Sequence, residues 1–439
     1  METSLAKSGL EHLKKHILVD GYPFILDLEK SFGSELYDSS GRRFLDMMSF
    51  YASMPLGMNH PIFNEPEARH ELLLAAKNKI SNSDFYTESY IDFVETFAKI
   101  AVPSSFPHMF FISGGALAVE NALKAAFDWK VRKNLGNGKG EIGHQVIHFK
   151  EAFHGRSGYT LSLTNTADPR KYMYFPKFDW PRVINPKITF PLEENIEEVR
   201  KLERKALDQI QTAIEQRGDD IASIIIEPIQ GEGGDNHFRD EFFVELRRIA
   251  DEAETMLIFD EVQTGLGLTG EMWYLNHLPI QPDLVSFGKK TQVCGFFSNK
   301  RIEEVEGHVF EESSRINSTW GGNLVDMVRS KYYLRVIENE NILANVKKQG
   351  EYLDKLLHEL SETHEGIISN VRRKGLFAAF DLPHMESRDQ LQKQLFKDGV
   401  LILKSGVQSI RFRPALNVQE EQLDEAVGII DTAIKAIKL

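Results

Sequence analysis

Cysteine is almost missing from this sequence: there is one, Cys294, in 439 residues. A single thiol can form neither an intramolecular disulfide nor a multi-cysteine metal site, and it fits a reducing compartment. No stretch approaches the roughly 18 uncharged apolar residues that a membrane-crossing helix needs. The opening Met1-Glu-Thr-Ser-Leu-Ala-Lys7 lacks the charged-then-apolar order of a secretory signal, so a soluble, cytoplasmic protein is expected. Positive charge is in deficit, since 52 Lys and Arg against 65 Asp and Glu leave a net charge of −13. There is no basic stripe to neutralise a phosphate backbone, which argues against a nucleic-acid partner. His154 has no second histidine at i, i+4, so no helical metal pair is expected there, and loop contact or core packing is its expected role. Low-complexity tracts, internal repeats and Pro/Gly linkers are also lacking, so domains must be inferred from element order.

What is present is a chain long enough for two or three domains. A hairpin is expected before Gly41-Arg-Arg-Phe-Leu-Asp46. This leads to Met54-Pro-Leu-Gly-Met-Asn-His-Pro61, and from there to about residue 320 apolar runs alternate with helical periodicity. Strands are predicted at 109–112, 146–150, 221–227, 255–262 and 283–287, and helices at 117–134, 196–217 and 240–254. Such alternation argues for a mostly parallel sheet covered by helices on both faces. After residue 323, two long amphipathic helices and a strand, helix, strand, helix tail predict a smaller α+β domain.

Two of the predicted strands end in polar residues. Met256-Leu-Ile-Phe-Asp260-Glu-Val-Gln263 ends in an acid, and Asp283-Leu-Val-Ser-Phe-Gly-Lys289-Lys290 ends in lysine. Open α/β sheets bind ligands at the carboxyl ends of their strands. A buried carboxylate needs a cationic partner, and a protonated pyridine nitrogen is one. A lysine amine with its pKa lowered by burial can bond a carbonyl cofactor and shuttle protons. Together they nominate pyridoxal 5'-phosphate (PLP). In an extended strand end the two lysines point to opposite faces, so one alone reaches the cofactor, and spacing favours Lys290.

Other segments supply complementary chemistry. Ser113-Gly114-Gly115-Ala116 lies where a strand turns into a helix, and can cradle a phosphate on free N–H groups. Asn317-Ser-Thr319-Trp-Gly-Gly-Asn323 is a second phosphate candidate. Phe153-His-Gly-Arg156 pairs an aromatic ring with a carboxylate-binding guanidinium. Arg411 and Arg413 fall on one face of a late strand, and Glu232, on a glycine-rich loop, could pair with either. Cys294 has no evident base partner and reads as a buried small residue.

In order and spacing these segments resemble the class III, or omega, aminotransferases of PLP fold type I, from about Gly41 to the end of the chain. The resemblance implies a seven-stranded, mostly parallel sheet in a large domain (56–322), with a small α+β domain (323–439) joined by residues 1–55. It implies Lys290 as the cofactor-bonded lysine, Asp260 as the pyridine partner and Gln263 as the ring-hydroxyl contact. Gly115 and Ala116 fall in the phosphate loop, Phe153 on the ring face, and Thr319 at the phosphate of a neighbouring subunit, hence a homodimer with shared active sites. Ala116 departs from the Ser or Thr of many members. Longer strings, including Phe175-Pro-Lys-Phe-Asp-Trp-Pro-Arg182 and Gly288-Lys-Lys-Thr-Gln-Val-Cys-Gly295, resemble the branch that moves the ε-amino group of L-lysine to 2-oxoglutarate. There Arg156 would take the lysine α-carboxylate, and Arg411 that of 2-oxoglutarate, with Glu232 covering Arg411 while lysine is bound. The alternatives are an omega-aminotransferase acting on 4-aminobutyrate or ornithine, sharing the catalytic residues, or a non-catalytic protein on the same fold.

Overall fold

Asp38 shapes the turn between the first two strands. Its Oδ1 accepts from the Ser40 and Arg42 amides at 2.9 and 3.0 Å, with Gly41 left-handed at φ 88°. This joins strands β1 (Glu35–Tyr37) and β2 (Arg43–Asp46) in an antiparallel pair. The computed structural model describes residues 9–437.

The large sheet follows from apolar runs. In chain order these are β3 (His108–Ile112), β4 (Gln145–Phe149), β5 (Arg182–Val183), β6 (Ile221–Ile226), β7 (Met256–Asp260), β8 (Leu284–Phe287) and β9 (Cys294–Ser298). They form one seven-stranded sheet in the order β3-β9-β8-β7-β6-β4-β5. Its four central strands, β6 to β9, are buried along their whole length, as strands covered on both faces must be. Neighbours from β8 through β5 run parallel, while β9 is antiparallel to both β8 and β3. All five expected strands are present. The run Cys294-Gly-Phe-Phe-Ser298 is an additional one, so Cys294 is buried in a strand. The helix Gly115–Gly136 lies on one face, burying Val119, Ala122, Leu123, Ala126 and Trp129. The helices Leu192–Arg217 and Asp240–Glu252 complete the expected set.

Beyond the sheet, the helix Leu324–Asn339 is buried on most sides rather than amphipathic, and Ile342–Thr363 has one apolar face. The expected single strands are more numerous. β10 (Ser369–Lys374) and β11 (Phe377–Asp381) form a hairpin across Gly375, φ 59°. After the helix Met385–Lys397 come β12 (Val400–Leu401), β13 (Leu403–Ser405) and β14 (Ser409–Phe412), then the helix Glu420–Ile437. β10-β11-β14-β13 make an antiparallel sheet, and β12 pairs parallel with β2 in a three-stranded sheet with β1.

Candidate active site

Four parallel strands deliver polar groups at their carboxyl ends, along one edge of the sheet. β7 ends in Asp260, which is 5% exposed. Its Oδ2 lies 2.7 Å from His154 Nδ1, and its Oδ1 accepts from the Val262 amide at 3.1 Å. His154, expected only to pack or to contact a loop, is therefore the direct partner of the buried acid. It comes from the segment after β4, where its own amide donates to Thr164 Oγ1 at 3.0 Å.

β6 leads to Glu227, a buried acid whose carboxylate accepts from the Phe153 and Gly231 amides at 2.8 and 3.2 Å. Burial pushes its pKa up to about 7, with nearby Asp260 adding to the rise and His154 opposing it. Phe153 is part-exposed beside it.

After β8 the backbone does not stay extended. Lys289 takes a left-handed φ of 56° and opens a short 3-10 turn, Lys289–Thr291, so strand alternation does not assign the two side chains. Lys290, 1% exposed, folds under the turn and donates to the Gln263 carbonyl at 3.3 Å. Burial first, then Lys289 and Arg413, holds its amine well below the ordinary lysine range. Lys289 is part-exposed, and burial first, then the Arg411 and Arg413 charges, brings its amine down to about 8 against the opposing pull of Glu232 and Glu227. Lys289, not Lys290, is the lysine that opens on the cleft.

At the amino end of the helix Gly115–Gly136, Gly114 has φ 107° and no side chain caps the first N–H groups. A Cβ at Gly115 would stand 3.1 Å from Val262 Cγ1, so the glycine lets this terminus close on the Asp260 strand end. Gly115 and Ala116 are part-exposed there.

The opposite wall comes from β14 and the residue after it. Arg411 and Arg413 share a face, as expected, and both reach Gln263 Oε1, Arg411 at 3.4 Å and Arg413 at 3.1 and 3.0 Å. With its oxygen occupied, the Gln263 amide is left with its NH2 as a donor. Arg413 and Asp235, both 0% exposed, pair at 2.7 Å, and the guanidinium lies 3.3 Å from the Phe377 ring centroid. Arg411 donates to Glu232 Oε2 at 2.7 Å. The other oxygen of Glu232 meets Lys171 Nζ. Burial alone would raise the Glu232 pKa, but Arg411 and Lys171 outweigh it and hold the carboxyl below its ordinary range. Arg156 is exposed at the cleft loop, and Thr319 is exposed on the 317–323 segment.

The sequence alone did not bring forward Glu227, Asp235 or Lys171, nor the Asp260 partnership of His154, nor Lys289 as the cleft amine. Asp235 had a readable signal, an acid closing the Gly231-Glu-Gly-Gly-Asp235 loop with nothing local to neutralise it. The others needed the fold.

An acid at one strand end, an amine with a lowered pKa at the next, and an uncapped helix terminus between them define a site for an anionic aldehyde cofactor. The chain belongs to the class III aminotransferases, whose family model matches residues 18–434. It is 49% identical over 430 residues to the L-lysine-epsilon aminotransferase of Mycobacterium tuberculosis, covering 97% of this chain and 95% of that protein. With the Amycolatopsis lactamdurans enzyme of the same name it shares 48% over 433 residues, 98% and 96% of the two chains. A solved structure of lysine aminotransferase from M. tuberculosis superposes with TM-score 0.96 at 49% identity, covering 98% of this chain and 99% of that one. The 4-aminobutyrate aminotransferase of Schizosaccharomyces pombe is 32% identical, over 98% of this chain and 93% of its own. The fold is that of the fold type I PLP transferases, and PLP is the cofactor. Buried Asp260, the Lys289 amine, the free Gln263 NH2 and the uncapped Gly114-Gly115 terminus match the pyridine, aldehyde, hydroxyl and phosphate of that molecule.

Proposed function

We propose that the protein transfers the ε-amino group of L-lysine to 2-oxoglutarate. The products are 2-aminoadipate 6-semialdehyde, which cyclises to 1-piperideine-6-carboxylate, and L-glutamate. The observation that bears most directly on the substrate is the Glu232–Arg411 pair. Lysine presents methylene groups where glutamate presents a carboxylate, and an uncovered Arg411 beside them would be an unpaired buried cation. The near-full-length identity to lysine-epsilon aminotransferases supports the same reading.

Bound PLP supplies the electron sink that acidifies the C–H bond next to the reacting nitrogen. Asp260, oriented by His154, would keep the pyridine nitrogen protonated. The Gln263 NH2 would donate to the ring hydroxyl, Phe153 would lie on the ring face, and the Gly115 and Ala116 amides would take the phosphate. Lys289 would bond the cofactor and move the proton at the substrate carbon, because an amine with pKa about 8 both gives and accepts protons near neutrality. This assigns to Lys289 the role that the sequence had suggested for Lys290. Arg156 would bind the lysine α-carboxylate, leaving the ε-amine at the cofactor. Arg411 would bind the α-carboxylate of 2-oxoglutarate once Glu232 moves off.

The exposed Thr319 supports a homodimer in which each subunit contributes to its partner's phosphate site. The division into 1–55, 56–322 and 323–439 is supported by β2, whose partner β12 lies in the last segment. The single cysteine supports a cytoplasmic setting, and among the described residues no helix is long and apolar enough to cross a membrane.

The test is to incubate the protein with PLP, L-lysine and 2-oxoglutarate and identify the product by NMR and mass spectrometry. 1-Piperideine-6-carboxylate is expected. The 2-carboxylate isomer would mean α-amino transfer and overturn the Arg156 pose.

A further inference from the structure

We propose that Lys171 is a positioning residue for the second half-reaction: it retains Glu232 when that carboxylate leaves Arg411, and so sets how readily Arg411 opens to a dicarboxylic substrate. This rests on the reading that Glu232 alternates between covering and uncovering Arg411.

Glu232 bridges two cations in different settings. Oε2 is bound by Arg411, whose side chain is 4% exposed, and Oε1 by Lys171, which is 22% exposed. On the Lys171 side lies a cavity of about 270 Å³ whose wall includes Thr166, Lys171, Glu232, Arg388 and Lys404. Arg411 is not part of that wall, so the carboxylate has room to move away from Arg411 while staying in reach of Lys171. The other cations of the wall are already paired: Arg170 with Asp168, and Arg388 and Lys404 with Asp389. Lys171 is therefore the cation in that wall committed to Glu232. It sits at the end of a short 3-10 turn, Pro169–Lys171, capped by Asp168, and its Nζ lies 5.7 Å from the Phe153 ring centroid.

The energetic consequence depends on which contacts survive the movement. With Lys171 present, uncovering Arg411 breaks one of two ionic contacts of Glu232. Without it, the same movement strands a part-buried carboxylate with no cation, and the covered state deepens. Binding of lysine, which uses the covered state, is not penalised. Binding of a dicarboxylate, which needs the uncovered one, is.

Lys171→Met is the test, with the two half-reactions of the holoenzyme measured separately. The KM for 2-oxoglutarate should rise about five- to tenfold, on the scale of one part-buried ion pair, while kcat/KM for lysine changes less than about twofold. Lys171→Arg should restore the 2-oxoglutarate KM. Calorimetric binding of glutarate, which involves no turnover, should weaken in parallel in the Met variant. Equal losses in both half-reactions would reduce Lys171 to a structural prop and overturn the proposal. A lower KM for 2-oxoglutarate together with a higher one for lysine would overturn it too, because Lys171 would then be holding the cover shut. If the wild type fails to convert lysine, it is the parent reading that fails, and glutarate calorimetry alone then decides for or against Lys171.

Discussion

Lys289 and Lys290 are chemically identical neighbours, yet the left-handed φ at Lys289 separates them into a cleft amine and a buried one. Alanine at 289 should abolish covalent attachment of the cofactor and lower turnover by at least about a thousandfold. Alanine at 290 should leave the attachment in place. Borohydride reduction followed by peptide mass mapping reads this directly, and a modified Lys290 in the wild type would reverse the assignment. At Asp260 the acid was legible in the sequence because it terminates a wholly apolar run. The lysine choice was not, because alternation presumes an extended backbone and nothing local in Gly-Lys-Lys-Thr announces a turn. His154 was misjudged for a related reason: its partner is 106 positions away, and only the sheet brings them together. Leucine at 154 should cost about ten- to a hundredfold in activity and weaken cofactor binding, with little change in far-UV circular dichroism.

At the scale of elements, the loop between β6 and the helix Asp240–Glu252 connects the two walls of the cleft. A Cβ on Gly231 would collide with the Gln263 amide, so this glycine is what allows Gln263 to lie between the loop and the arginines. Gly231→Ala should displace that amide and reduce cofactor affinity about tenfold, measurable by dialysis and visible absorbance, without loss of helix content. Gly406, at the β13–β14 turn, donates to the Glu232 carbonyl at 3.0 Å, and a side chain there would meet Gly233 and Gly234. The parallel strands and their helices were readable because apolar runs and 3.6-residue periodicity are local. β5 and β9 were not. The first has two residues, and the second is interrupted by a glycine and runs against its neighbours.

For the molecule as a whole, buried titratable groups tie stability to pH. Glu261, 0% exposed, accepts from the Tyr274 and Leu275 amides and from Thr264, yet burial raises its pKa from 4.5 to about 7. Between those values the folded state holds a proton that the unfolded state has released. Its stabilisation is thus full below pH 4.5 and is lost as pH rises through 7. The melting-temperature difference between wild type and Glu261→Gln should shrink across that window and level off above it. A constant difference would show that folding leaves the Glu261 pKa unchanged. Lys289 works in the opposite sense at higher pH. Its depressed pKa penalises the folded state below about 8 and releases that penalty towards 10.5.

The pairing of Arg413 with Asp235, both fully enclosed, joins the strand that ends the small sheet to the loop that floors the cleft. A chain truncated ahead of Arg413 would keep every strand of the seven-stranded sheet, but it would bury a lone carboxylate beneath Gln263. The charge balance of the cleft floor thus depends on a residue 178 positions further along the chain, beyond every strand of the seven-stranded sheet.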